Sequence, residues 1–107
     1  MRKELHKLIV KALKAGRIYI SSYGLDAMEE CDLAIESVID LAVRASSVDA
    51  EENFSYRKYS APTCSIQNTT KSGVLVRSIW KYNKEKECAI LINVYFCPTW
   101  FLRRVRR

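Results

Sequence analysis

Cys88-Ala89-Ile90-Leu91-Ile92-Asn93-Val94-Tyr95 is nearly continuous apolar sequence. A strand of that composition is covered on both faces, which puts it in the middle of a sheet rather than at its rim. Just upstream, Asn83-Lys84-Glu85-Lys86 is a charged loop of poor strand formers. It joins the apolar run to a second β segment, Val74 to Tyr82, as an antiparallel hairpin. Working backwards, Gly73 marks a tight turn, and Cys64 to Asn68 and Phe54 to Tyr59 read as two further strands. The chain from Phe54 onward is therefore β.

The first half reads as helical. Leu5, Leu8, Ile9, Ala12 and Leu13 recur at the spacing of one buried helical stripe over residues 2 to 15, with Lys3, Lys7, Lys11 and Lys14 on the other side. Gly16 is a natural stop, and Arg17-Ile18-Tyr19-Ile20-Ser21 alternates as a short strand. Ser21 or Ser22 can cap a second helix running to about Cys31, with Leu25 and Met28 inward. Asp32 can cap a third, Leu33 to about Ala45, with Ile35, Val38, Ile39 and Ala42 as its apolar side. Residues 46 to 52 are a polar connection. The expected fold is α+β: an N-terminal helix, then strand, helix, helix and a three- to four-stranded antiparallel sheet.

Composition bounds the rest. One hundred and seven residues leave room for one domain, since two would each fall near the size where a core stops offsetting chain entropy. Its parts are an N-terminal helix in 1–16, a core in 17–100 and a basic tail in 101–107. Three Gly and two Pro argue against a linker or a disordered tract. No apolar run approaches the roughly 20 residues that span a bilayer, and the first residues lead into a charged amphipathic segment. A cytoplasmic protein without a membrane partner is the expectation.

Cys31, Cys64, Cys88 and Cys97 are spaced 33, 24 and 9 apart, and the one histidine, His6, is distant from all of them. Structural zinc draws its ligands from close pairs, so no metal site is expected. Free, mostly buried thiols in a reducing compartment fit better than a disulfide framework. No glycine-rich phosphate loop is present either, so no cofactor is expected.

The net charge of +6 is segregated. Residues 1 to 25 balance at +5, residues 26 to 52 at −8, and residues 53 to 107 at +9. A domain charged in this way can turn a basic sheet and tail toward a polyanion and acidic helices away from it. The densest basic feature is Trp100-Phe101-Leu102-Arg103-Arg104-Val105-Arg106-Arg107, where guanidinium groups can pair phosphates while Trp100 stacks on a base. A solvated charged terminus, or a tail that docks an acidic protein, are the other readings of the same residues.

The ordered short motifs resemble a small bacterial family catalogued as domain of unknown function 4258. Ser21-Ser22-Tyr23-Gly24-Leu25-Asp26-Ala27-Met28 occupies that family's Ser-x-His-Ala-x-x-Arg-Met signature. Leu33 to Val38 occupies its second helix opening. Pro62-Thr63-Cys64, Gly73-Val74-Leu75-Val76-Arg77 and Asn93-Val94-Tyr95-Phe96-Cys97-Pro98-Thr99-Trp100 follow in order. The resemblance covers about residues 16 to 100, and the family is similar in layout to RelE-like bacterial toxins. The RelE-like toxins use this layout as a small ribonuclease platform, and the resemblance implies the fold more firmly than a reaction. Tyr23 stands where the family has His, Ala27 where it has Arg, and Arg77 where it has a second His, so the imidazoles are missing.

RNA cleavage without histidine or metal needs a base, a cation for the phosphorane and an acid for the leaving oxygen. Arg77, Lys81, Tyr95 and Tyr59 are the candidates for that chemistry. Arg57, Lys58, Trp100, Arg103 and Arg104 are the candidates for nucleic-acid binding. The expected function is a toxin-family RNA-binding domain, with endoribonuclease activity held by an antitoxin. The alternative is a non-catalytic binding or assembly module that keeps the fold, as a homodimer or with another protein. In that reading the same cations are solvated strand residues.

Overall fold

In a computed structural model of the chain, which describes residues 4–53 and 62–98, three helices lie against one face of a five-stranded sheet. The first helix, α1 (Glu4–Lys14), buries Ile9, Ala12 and Leu13. Leu8 is the exception to the expected stripe, at 38% exposed. Gly16 closes this helix at φ 77, a left-handed conformation that glycine adopts without a Cβ penalty. The chain then enters β1 (Ile18–Ile20), whose two isoleucines pack on the core.

Helix α2 (Ser22–Cys31) starts at Ser21, whose Oγ accepts from the Gly24 N–H at 3.0 Å. The helix buries Gly24, Ala27 and Met28, while Leu25 is 54% exposed, so the expectation that Leu25 points inward is corrected. The face of α2 that meets the sheet is the one carrying Gly24, Ala27 and Met28, and Leu25 falls outside it. Asp32 is not the cap of the next helix. It takes the left-handed conformation (φ 53, ψ 45) that ends α2, with Leu33 N–H donating back to the Met28 carbonyl at 3.0 Å. Aspartate tolerates that region better than a branched residue does. Helix α3 (Ile35–Arg44) therefore starts later than expected, from Ala34 with no side-chain cap, and buries Val38, Leu41 and Ala42.

The polar connection is also corrected. After a single 3-10 turn at Ser47–Asp49 it becomes strand β2 (Ala50–Asn53). Its acidic sequence hides it from a hydrophobic pattern, yet charge is what an edge strand needs to discourage pairing with other chains. Strands β3 (Thr63–Thr69), β4 (Val74–Asn83) and β5 (Cys88–Pro98) match the expected segments closely. The expected strand Phe54 to Tyr59 lies outside the described residues.

The sheet order is β1-β5-β4-β3-β2. It is mixed rather than purely antiparallel: β2 to β5 pair antiparallel, and β1 joins β5 in parallel, with Ile18 opposite Ala89 and Ile20 opposite Leu91. The chain between β1 and β5 passes through two helices and strands β2 to β4, far longer than the tight turn that joins antiparallel neighbours. β5 is thus interior to the sheet, as its apolar run implies.

The helix-side core gathers Ile9, Ala12, Met28, Val38 and Leu41 against Cys64, Ile66, Val76, Trp80, Leu91 and Val94. Trp80 sits at its centre, 0% exposed. Its indole N–H donates to Ser78 Oγ at 2.7 Å, and that hydroxyl donates to the Ile66 carbonyl at 3.3 Å. The buried Trp80 N–H and Ser78 hydroxyl are thereby both satisfied. Side chains also tie helix termini to the sheet: Glu52 Oε2 accepts from the His6 N–H at 2.9 Å, and Asn68 Nδ2 donates to the Leu41 carbonyl at 3.1 Å.

Among the described residues no helix is long and apolar enough to cross a membrane.

Candidate nucleic-acid interface

A strand with one face packed on helices must present its other residues on the opposite face. In β4 the buried positions are Val76, Ser78 and Trp80, so Arg77, Ile79 and Lys81 alternate onto the far side, each half-buried. Strand pairing fixes their neighbours. Arg77 stands between Gln67 on β3 and Tyr95 on β5, directly opposite both. Lys81 is opposite Ile90, which is opposite Tyr19 on β1. The face therefore carries two rows, Gln67-Arg77-Tyr95 and Lys81-Ile90-Tyr19, with Ser65-Ile79-Asn93 between them.

Arg77 and Tyr95 are immediate cross-strand neighbours, close enough for their side chains to touch. Lys81 is four residues further along the strand, roughly 13 Å away at the backbone. Of the four residues expected to act together, the three among the described residues, Arg77, Tyr95 and Lys81, thus share one face but form a pair and an outlier. Tyr95 is 42% exposed and Tyr19 is 64% exposed. Tyr19 is the residue that sequence reasoning passed over as a binding group. Its alternation with Ile18 and Ile20 is the signal that places it outward.

Arg77 is not alone in its cleft. Its guanidinium donates to Gln67 Oε1 at 2.7 Å, which fixes the side chain across the strand pair. A small polar cleft of about 140 Å³ lies here, lined by Asp49, Glu51, Ser65, Gln67 and Arg77. Asp49 and Glu51 belong to the segment read as a connection, so the acidic part of the chain reaches the sheet instead of staying on the helices. Lys7, Lys11 and Lys14 are exposed on α1, the basic helix face that the sequence predicts. The expected division is corrected at Asp49 and Glu51, which bring acidic groups to the basic sheet.

Of the other expected site residues, Tyr59, Arg57, Lys58, Trp100, Arg103 and Arg104 lie outside the described residues. The positions where the resembled family carries polar groups do not meet. Tyr23 is exposed on α2, Ala27 is buried under it, and Arg77 is on the far face of the sheet. Among the described residues no three His, Cys, Asp or Glu side chains are placed to hold a metal ion. Cys31 donates to the Val94 carbonyl at 3.7 Å, and burial, then the Glu30 carboxylate beside it, pushes its thiol pKa up. A thiol so placed stays protonated at neutral pH and is a poor nucleophile. Neither it nor Cys88 forms a disulfide.

Compared with known protein families, with curated proteins and with solved structures, the chain finds no match in any of the three.

Proposed function

We propose that this domain binds single-stranded RNA across the face of the sheet opposite its helices, as a member of the RelE-like toxin platform. The observation that carries the reading is the juxtaposition of Arg77 and Lys81 with the exposed rings of Tyr95 and Tyr19 on one face. Cations track a phosphate backbone and tyrosine rings stack on bases, a combination that tolerates many sequences. The order of strand, two helices and antiparallel strands supports the same platform. Cleavage would use Arg77 to neutralise the phosphorane, with Tyr95 beside it for proton transfer. An antitoxin would then be the protein partner.

Purified protein is expected to cut RNA, and Arg77→Ala to abolish cutting without unfolding the domain. Intact RNA after prolonged incubation, with and without ribosomes, sinks the enzymatic version. Binding is read separately, by fluorescence anisotropy against salt. Each of Arg77→Ala and Lys81→Ala is expected to lower the slope of log K against log salt by about 0.7. Tyr19→Ala is expected to weaken binding about tenfold through loss of one stacked base. A slope that neither substitution changes removes this face as the interface.

A second reading, a non-catalytic binding module, is favoured by one observation. The cation that would meet the phosphate is already engaged by Gln67 and shares its cleft with Asp49 and Glu51. Two carboxylates lower the local potential that an anion would feel. RNA binding without turnover is the outcome that selects it.

A further inference from the structure

The helix side of the molecule carries two exposed surfaces that the RNA reading does not use. One is a groove of about 340 Å³ between α1 and α3. Its floor is formed by Val10, Val43 and Ala45 with the buried His6, and its rim is a ladder of lysines, Lys7, Lys11 and Lys14. The other is the outer face of α2, where Leu25 is 54% exposed and is flanked by Asp26, Glu29 and Glu30, all exposed.

The two surfaces match in three respects. The first is charge: three cations on the rim face three carboxylates on α2. The second is pitch. Lys7, Lys11 and Lys14 are four and three residues apart, and Asp26 stands three and four residues from Glu29 and Glu30. Asp26 with Glu29 therefore gives a single one-turn step of 5–6 Å or so, which matches one lysine pair of the rim, while Glu30, adjacent to Glu29, adds no second step. The third is shape, because a groove between two helices is the surface into which the side-chain ridge of a third helix packs. An exposed leucine beside these acids supplies an apolar knob for such a floor.

We infer that this chain associates with itself head to tail, with the acidic face of α2 from one copy seated in the lysine-rimmed groove between α1 and α3 of the next. Leu25 fills the floor while Asp26 and Glu29 meet the lysines. The two contacting surfaces differ, so the arrangement is heterologous: each added copy offers a fresh groove and a fresh helix, and growth stops only if a ring closes. One helix in one groove is at the small end of specific interfaces, which makes the association weak and reversible. Two chains at +6 each repel on net. Association that strengthens as salt falls must therefore come from local complementary patches and not from overall charge.

The test is sedimentation equilibrium of the full chain at rising concentration, in about 0.01 M and about 1 M salt, where the Debye length is about 30 Å and about 3 Å. In low salt the mass is expected to climb above the 12.4 kDa monomer without halting at a dimer, and in high salt to fall back. The paired reversals Lys7→Glu with Lys11→Glu, and Asp26→Lys with Glu29→Lys, are each expected to raise the concentration needed for association about tenfold or more. Mixing the two variants is expected to restore association, because an intact acidic helix then meets an intact groove. Leu25→Ser weakens it at unchanged net charge, which separates seating in the groove from general attraction. Circular dichroism matching the parent chain qualifies each variant, and Lys11→Gln with Glu29→Gln replaces a reversal that disturbs its helix. Monomer mass under every condition overturns the inference. So does association that neither reversal weakens, or a mixture of the two variants that stays monomeric. RNA binding read in parallel, with the same variants, is expected to be unchanged and keeps the two proposals separable.

Discussion

Strand β4 has two faces of opposite character. Val76, Ser78 and Trp80 are sealed under the helices, while Arg77, Ile79 and Lys81 lie half-buried on the far side. Both sets come from one stretch of sequence with one backbone geometry, so the difference is not propensity. On the covered face each side chain is chosen by the space left among α1, α3 and the neighbouring strands. Even the polar Ser78 is there as the acceptor for Trp80's indole N–H. On the far face the helix-side core dictates neither Arg77, Ile79 and Lys81 nor the tyrosine on each flank. Residues that the core does not dictate are where binding chemistry is found.

That contrast can be broken most easily from the covered side. Trp80→Ala removes the largest fully buried side chain. It is expected to cost about 3–5 kcal/mol, a large share of the stability of a domain this size. Urea unfolding followed by far-UV circular dichroism reads it, and a loss below 1 kcal/mol or so would mean the core is not organised around this ring.

Gly24→Ala is next. A Cβ at that position would sit 2.6 Å from the Leu91 carbonyl oxygen, which already accepts from Ser21 N–H at 3.1 Å and from Ser21 Oγ at 2.9 Å. Helix α2 must then lift from β5 at a cost of about 1–3 kcal/mol, visible as a lower urea midpoint. An unchanged midpoint would show that α2 is free to move.

Lys81→Ala sharpens the comparison from the other face. It is expected to change stability by no more than about 0.5 kcal/mol, while still altering the salt dependence of RNA binding. A large stability loss would make Lys81 part of the scaffold.

The smallest effect is that of Cys31. Its pKa is raised in the folded chain, by burial first and then by Glu30. The native state therefore holds the proton more tightly than the unfolded state does. The contribution is complete below the unfolded thiol's value, about 8.5, and is lost as pH rises through the higher folded one. The fall in urea midpoint from neutral to alkaline pH is expected to be slightly shallower in Cys31→Ser.

The same contrast explains what could be read ahead of the structure. β3, β4 and β5, the cap at Ser21 and the stop at Gly16 were legible because burial and turn chemistry leave marks in the residue pattern. The strand Ala50–Asn53 was not: an edge strand of Glu-Glu-Asn is held by its ladder to β3, and its acids carry no hydrophobic alternation. Asp32 was ambiguous in kind, since aspartate suits both an N-cap and a left-handed stop, and tertiary context chose the second. Leu8 and Leu25 were read inward from period alone. The position of each helix over the sheet decides which apolar residues are covered, and that position is a long-range property. At the candidate interface Arg77, Lys81 and Tyr95 were found by type and spacing. Gln67, Asp49, Glu51 and Tyr19 became neighbours of that set only through strand register, which short-range pattern does not determine.

The parallel pairing of β1 with β5 has a consequence for the order of events during synthesis. Ile18 and Ile20 find their partners in Ala89 and Leu91, and Ser21 bonds the same strand across 70 residues. While the ribosome has not yet delivered Cys88, a finished β1 and the Met28 side of α2 have no surface to close against. They remain exposed as apolar, unpaired edge for most of translation, the condition under which chaperones are recruited and chains stick to one another. Closure waits for β5 and links residues 18–21 to residues 89–91. Such long-range contacts slow folding relative to a helical protein of equal length.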